Sequence, residues 1–359
     1  MPMMSVMAAT HSAMPPLTSN ISQQETAVPN TLSEAITFLE TQWPSNNENK
    51  MKGILAELRL KEFLTQHNHH FISGGWIMIP GTTSRSETPT LDKLCILPRK
   101  HSFTWEDTNN NRNSLSLAEL SAYNYFRQVG LTVLFANPVD IDETQFELPS
   151  PAVGRVRAKY PRSYELQLQK VSNTGLTTVT TEDAFSRFPQ RNGNRGIQCK
   201  RTNWIPQGNA PWNHPSLVSD LFWFEYSRYF FKVNYLISNN DLDLFIIGSS
   251  GASYPVELKS KTPANDPSLG DWFGIDMGPF AKLSFFTSNA MNTDALYVVE
   301  EVDNDGNHLE WYGIKFTDLV KSCSWVGRSG GQGMTGSASS TYKIPKSAFS
   351  SLHDLMDAI

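Results

Sequence analysis

The chain is poor in cysteine, in basic residues near its N-terminus and in long apolar runs, and each shortage narrows the choice of protein class. Its three cysteines, Cys95, Cys199 and Cys323, are widely spaced in 359 residues and form no paired metal-ligand pattern. That pattern points to a reducing compartment. Residues 1–30 contain no Lys or Arg and are rich in Met, Ser, Thr, Pro and Gln. They read as a disordered leader, without the basic start or continuous apolar core of a signal or transit peptide. The longest apolar stretch, Leu221 to Ile237, is broken by Glu225, Arg228 and Lys232, so no membrane span is expected. The glycine-rich stretch Gly327 to Gly336, GRSGGQGMTG, lacks the Lys-Ser/Thr ending of a phosphate-binding loop and reads as a surface loop. Order is expected to begin near Thr31, where Thr31 and Glu34 form a capping-box signature ahead of Ile36, Phe38 and Leu39.

A net charge of -5 argues against nucleic-acid binding at first sight, because phosphate neutralisation dominates that affinity. The charge is unevenly spread, however. Pro151 to Arg201 holds ten Lys/Arg against three Asp/Glu, a local balance of +7 that leaves -12 for the rest. Arg155, Arg157, Lys159 and Arg162 form one cluster and Arg187, Arg191, Arg195, Lys200 and Arg201 another, with Tyr160, Phe185 and Phe188 among them. A basic segment in an acidic protein suggests a nucleic-acid-facing surface, with arginines available to phosphates or bidentate to guanine edges. The aromatic stretch that includes Trp204, Trp212, Trp223, Phe224 and Phe231 reads as core or dimer contact.

The residues with chemistry in them lie between Asp241 and Pro263, DLDLFIIGSSGASYPVELKSKTP. Leu244 to Ile247 is an apolar run of strand length, Gly248 to Gly251 closes it, and Tyr254 to Leu258 resumes it, which predicts a β-hairpin. Pro255 stands at the start of the second strand, where a sheet tolerates it. Alternation then places Glu257, Lys259 and Lys261 on one face and Val256 and Leu258 on the other. Asp243, at the mouth of the first strand, lies across the hairpin. Two carboxylates and a lysine of this kind suit Mg²⁺, which takes few carboxylates and keeps several waters. Lys259 would orient a bound water or stabilise charge developing on phosphorus.

An acid before an apolar run, a glycine turn and a second apolar run carrying Glu-x-Lys resembles the PD-(D/E)xK nuclease superfamily, which includes most type II restriction endonucleases. The resemblance covers residues 50–79 and 238–316, and its motif is short. It implies a Mg²⁺-dependent, site-specific DNA endonuclease that leaves 5′-phosphates, with Asp243 and Glu257 as metal ligands and Lys259 beside the attacking water. Asp241 is the alternative first acid. The superfamily's first helix often carries a glutamate aimed at the metal. Asn49 to Leu64, NKMKGILAELRLKEFL, has the composition of a good helix, and on its wheel Lys50, Gly53, Ile54, Leu60, Lys61 and Leu64 fall within about 60° of Glu57. Glu57 is therefore a candidate third acid, although Lys61 or Lys50 could equally neutralise it. Palindromic sites would favour a twofold homodimer, and the restriction-enzyme likeness implies a prokaryotic cytoplasm.

The expected fold is α/β, a mixed central sheet flanked by helices with an αβββαβ core. Its parts are the first helix, a strand over Phe71 to Ile79 interrupted by Gly74 and Gly75, the hairpin, and a loop through Pro263, Pro267 and Gly270. A helix from Pro279 to Asn289 and strands Ala295 to Val302 and Leu309 to Phe316 follow, the last two joined by the turn Asp303 to Asn307. Residues 80–237 would be an insertion within a single elaborated domain spanning 31–359. A competing site in that insertion, Asp183 with Gln198 and Lys200 of GIQCKR, resembles the Gln-x-Lys variant of Mrr-type enzymes. It ranks lower because Thr181 to Asn194 has no apolar run to form the strand that should carry Asp183. The HNHH run, His67 to His70, reads as a loop or strand start. Two rivals stand beside the restriction enzyme: a repair or junction-resolving nuclease of the same fold, and a catalytically silent DNA-binding protein.

Overall fold

The computed structural model describes residues 48–81, 93–99, 115–139, 154–156, 165–172, 175–190, 197–199, 237–289, 293–329 and 340–359, with Phe224, Ser227, Phe231 and Tyr235 among the intervening residues. Helix α1 (Glu48–Gln66) leads into strands β1 (His70–Ser73) and β2 (Trp76–Pro80). Then come β3 (Leu94–Pro98), α2 (Leu117–Gln128), β4 (Thr132–Val139), β5 (Gly154–Val156), β6 (Glu165–Ser172), β7 (Gly175–Val179), α3 (Thr181–Ala184) and β8 (Ile197–Cys199). After β9 (Ile237–Asp241) follow β10 (Leu244–Ile247), β11 (Ser253–Lys261), β12 (Ala264–Asp266), β13 (Gly270–Asp276) and α4 (Met277–Asn289). The chain closes with β14 (Leu296–Val302), β15 (His308–Lys315), α5 (Phe316–Ser322), β16 (Arg328–Ser329), β17 (Ser340–Pro345), β18 (Ser350–Ser351) and α6 (Leu352–Asp357). The protein is mixed α/β.

A six-stranded sheet, in the order β1-β10-β11-β14-β15-β18, carries the expected hairpin. Neighbours are antiparallel except β11 and β14, which run parallel, as a strand-helix-strand crossover through α4 requires. Helix α1 covers one face. Its stripe of Ala56, Leu60 and Leu64 buries against Val256 and Leu258 of β11 and Leu296 and Val298 of β14, the i, i+4, i+8 spacing that one helical face provides. The helix stops where Asn68 takes a left-handed φ of 57°, and His70 of the HNHH run opens β1. Helix α4 and the apolar residues Tyr297, Val299 and Ile314 lie on the opposite face.

A second six-stranded sheet, β7-β6-β4-β3-β2-β9, is built by the long insertion. The two sheets share one bent ribbon. Ser73 pairs with Leu244 and Trp76 with Asp241, so the register continues across the bend with Gly74 opposite Asp243 and Gly75 opposite Leu242. Two hydrogen bonds carry the ladder through it, Gly74 N to Asp243 O at 3.2 Å and Leu242 N to Gly75 O at 2.9 Å. The single strand expected over Phe71 to Ile79 is thus two strands in two sheets. The reason is contact distance: a Cβ on Gly74 would lie 1.6 Å from Leu242 O, and one on Gly75 2.4 Å from Ile96 O. Helix α2 then packs between the sheets, where Tyr125 and Phe126 join Ile77 and Phe135 on one side and Phe245 and Phe286 on the other. It begins with a capping box, Glu119 N to Ser116 Oγ at 3.2 Å and Ser116 N to Glu119 Oε2 at 2.8 Å. The signature at Thr31 and Glu34 lies outside the described residues, as does the leader.

Two further expectations need correction. The loop through Pro263, Pro267 and Gly270 is a hairpin of β12 and β13, which joins β17 and β16 in a third sheet, β12-β13-β17-β16. Its pairing partner comes about seventy residues later, so nothing local in the sequence announces it. Arg328 and Ser329, read as surface loop, likewise pair with Thr341 and Ser340. The turn at Asp303 is as expected, with its carboxylate accepting from Asp305 N at 2.9 Å and Asn307 N at 2.8 Å. Among the described residues no helix is long and apolar enough to cross a membrane.

The bend can be tested with a pair of glycine variants. Gly74→Ala forces backbone apart and should destabilise the protein by about 3 kcal/mol or more, whereas Gly53→Ala, at an open α1 position with nothing within 4 Å, should stabilise it by roughly 0.5–1 kcal/mol. Urea denaturation midpoints check both, and equal effects would refute the close-approach account.

Candidate functional site

Strand β10 pairs with β11 with Leu244 opposite Val256, and one step further along the register Asp243 faces Glu257. Alternation sends Val256 and Leu258 into the α1-side core and Glu257, Lys259 and Lys261 to the α4 side. Asp243 does not point away from them. Its Oδ2 accepts a hydrogen bond from Leu258 N at 2.8 Å, which fixes the carboxylate over the β11 backbone between Glu257 and Lys259.

Glu257 is buried, and an ammonium meets each of its oxygens. Lys259 Nζ lies 2.6 Å from Oε1, and Lys282 Nζ, from α4, forms an ion pair with Oε2. Lys282 also donates to the Asp241 carbonyl at 2.6 Å. Burial alone would raise the Glu257 carboxyl, but Lys259 and Lys282 outweigh it and hold the group below the usual carboxylate range. Asp243 goes the other way. Burial first, and then the Glu257 charge, push it up to about 6 against the pull of Lys282, Lys259 and the Leu258 amide. Two adjacent carboxylates with opposed proton affinities are a frequent mark of functional sites. Burial draws the Lys259 ammonium down, and Glu257 and Asp243 more than restore it, so it stays charged. Lys261 is lowered by burial and donates to Gly274 O at 2.5 Å. Asp276, at the end of β13, adds further negative charge near Lys259 and accepts from Thr341 Oγ1 at 2.6 Å.

Of the sequence candidates, the structure brings Asp243, Glu257 and Lys259 together. Glu57 pairs with the fully buried Lys61 at 2.7 Å, one of the two neutralising partners its wheel offered. Asp241 ends β9 in the second sheet, and its carbonyl accepts a hydrogen bond from Lys282. Among the described residues no three His, Cys, Asp or Glu converge as a metal-binding group, so neither Glu57 nor Asp241 completes a three-acid cluster. The donor set that does form, two carboxylates with backbone close by, is the sparse type that suits Mg²⁺. Asp183 of the competing site lies on the short helix α3, capped by the Thr180 hydroxyl, and Lys200 is outside the described residues.

In the basic segment, Arg157, Lys159, Arg162, Arg191, Arg195, Lys200 and Arg201 lie outside the described residues, and Arg187 is exposed. Backbone pairing sets Arg155 opposite Gln198 in the two-stranded sheet β5-β8, which joins the ends of the two basic clusters in one ribbon. Phe185 and Phe188 are core residues, not surface platforms: Phe185 stacks on Phe231 at 5.1 Å and Tyr235 at 4.4 Å, and Phe231 and Phe224 flank Trp76.

Lys282 and Asp276 were not found from sequence. Lys282 did leave a signal, as the one charged residue of the otherwise uncharged helix MGPFAKLSFFTSN. No protein-family model, curated protein or solved structure matches the chain.

The raised Asp243 carboxyl has a consequence for stability. The native state holds this proton more tightly than the unfolded chain, so the stabilisation is present at about pH 4 and is lost as pH rises through about 6. Asp243→Asn lacks that loss. In EDTA its stability relative to the native sequence should improve by on the order of 2 kcal/mol between pH 4 and 7, read by urea denaturation; a pH-independent difference would contradict the assignment.

Proposed function

We propose that the chain is a Mg²⁺-dependent DNA endonuclease of the PD-(D/E)xK kind, resembling type II restriction enzymes. One observation carries this reading: Asp243 is held opposite Glu257, two residues from Lys259, at the mouth of a hairpin that has α4 across it. Element order supports it as well. Helix α1, strand β1, the insertion, strands β10 and β11, the β12-β13 hairpin of the third sheet, helix α4 and strand β14 follow in that order, and β1, β10, β11 and β14 lie in one sheet, as an αβββαβ core interrupted by two insertions would have them.

Asp243 and Glu257 would hold the metal ion, which when bound supplies Lewis acidity toward a phosphate oxygen and a more acidic water. Glu257 is already ionised at neutral pH, and Asp243 gives up its proton above about pH 6. Lys259 is charged and about one-third exposed at its side chain, and in this reading its ammonium would orient the attacking water and offset charge developing on the phosphorus oxygens. The basic ribbon around Arg155 and the exposed Arg187 would supply phosphate contacts on double-stranded DNA. A 40.3 kDa chain with a long insertion suits a site-specific enzyme better than a compact resolvase, and a palindromic site would be read by a twofold homodimer.

The test is incubation of the purified protein with unmethylated phage DNA in Mg²⁺ or EDTA, beside Lys259→Ala. Discrete fragments that require Mg²⁺ are expected, with cleavage by Lys259→Ala slower by about 100-fold or more. A smear or preference for branched DNA would indicate a repair or junction nuclease. Absence of cleavage on every duplex and branched substrate would leave a silent DNA-binding protein, and full activity in Lys259→Ala would move the site elsewhere.

A further inference from the structure

Lys282 has no place in the Glu-x-Lys motif, yet it makes two contacts that bear on the geometry of Asp243. Its ammonium pairs with Glu257 Oε2, the carboxylate facing Asp243, and donates to the carbonyl of Asp241, two residues before Asp243 and on the far side of the bend. Its side chain is 14% exposed and that of Glu257 3%, so both contacts form largely away from water, where an ionic hydrogen bond is stronger than at a surface. The helix that presents Lys282 is fixed on the sheet by Leu283 and Phe286, which are buried beside it. The lysine therefore spans three elements: α4, the β11 strand of the first sheet and the β9 strand of the insertion sheet.

We propose that Lys282 is a positioning residue, a strut that ties the β9-β10 bend to Glu257 and so sets Asp243 against Glu257. Its second consequence is coupling: β9 belongs to the insertion sheet, so displacement of the insertion is transmitted through the Asp241 carbonyl and Lys282 to the Glu257 carboxylate. Lys259 differs in reach: its ammonium donates to Glu257 Oε1 on its own strand. The functional side of this inference rests on the proposed nuclease site, whereas the strut itself does not.

The test is native-state hydrogen exchange in EDTA on Lys282→Met, Lys282→Arg and Lys259→Ala. Two amides report the geometry: Leu258, which donates to Asp243 Oδ2, and Leu242, which donates to Gly75 O across the bend. Both should exchange at least tenfold faster in Lys282→Met, return toward the native rate in Lys282→Arg, and change less than threefold in Lys259→Ala. Lys282→Gln, which keeps a donor for the Asp241 carbonyl without the charge, replaces the methionine variant if that one fails to fold; it should slow Leu242 relative to Leu258. A second readout is thermal. The fall in Tm caused by removing Lys282 should shrink by half or more in a Glu257→Gln background, since the partner is then already lost. Unchanged exchange at both amides, or equal Tm losses in the two backgrounds, would overturn the strut. If the native protein cleaves DNA, Lys282→Met should lower the rate at saturating Mg²⁺ at least tenfold and Lys282→Arg should recover most of it. If the native protein does not cleave, the nuclease reading fails while the exchange and thermal results still decide the role of Lys282.

Discussion

A buried carboxylate must be neutralised, and the way Glu257 is neutralised organises the structure around it. Leaving such a charge unpaired in a protein interior costs several kcal/mol even after relaxation. Glu257 meets this with Lys259 on one oxygen and Lys282 on the other, which fixes β11 and α4 relative to each other. Asp243 then has little electrostatic support left. It sits beside a carboxylate that has taken both ammoniums as direct partners, and its own direct partner in the structure is the Leu258 amide. The raised proton affinity of Asp243 follows first from its burial and then from the neighbouring Glu257 charge, against the weaker pull of the two lysines. A divalent cation held by these acids would offset the charge of the pair, which is the physical reason to propose a metal site here.

The insertion is joined to this centre and is not a peripheral addition. It leaves the first sheet at Gly74 and returns at Asp243, opposite each other on one ladder, so the residue that re-enters the sheet is the first acid of the proposed site. The absence of a side chain at Gly74 lets the two backbones pass, and Tyr125 and Phe126 of α2 fill the angle between the sheets together with Phe286 of α4.

Local sequence patterns carry much of this arrangement. Leu244 to Ile247, the glycine turn and the alternation through Lys259 specified the hairpin and the shared face of Glu257 and Lys259, because period-two alternation is a local property of a strand. The stop at Gly74 and Gly75 was also visible, but not that it sends the chain into another sheet, since sheet membership depends on partners near Asp241 and Ile96. The strand β13 was missed for the same reason: Phe273 and Ile275 pair with Ile344 and Tyr342, across a glycine- and serine-rich stretch. Phe185 and Phe188 were grouped with nearby arginines by sequence proximity, whereas their contacts are with Phe231 and Tyr235. Lys282 was legible only as an isolated charge on an apolar helix; its partners lie 25 and 41 positions away.

The most direct measurement of the central claim is Mn²⁺ binding to the purified protein without DNA, followed by electron paramagnetic resonance at pH 7.5. The account predicts one Mn²⁺ per chain at millimolar concentration or below, lost in both Asp243→Asn and Glu257→Gln and retained in Glu57→Gln. Binding that survives both carboxylate substitutions, or no binding by the native protein, would contradict it.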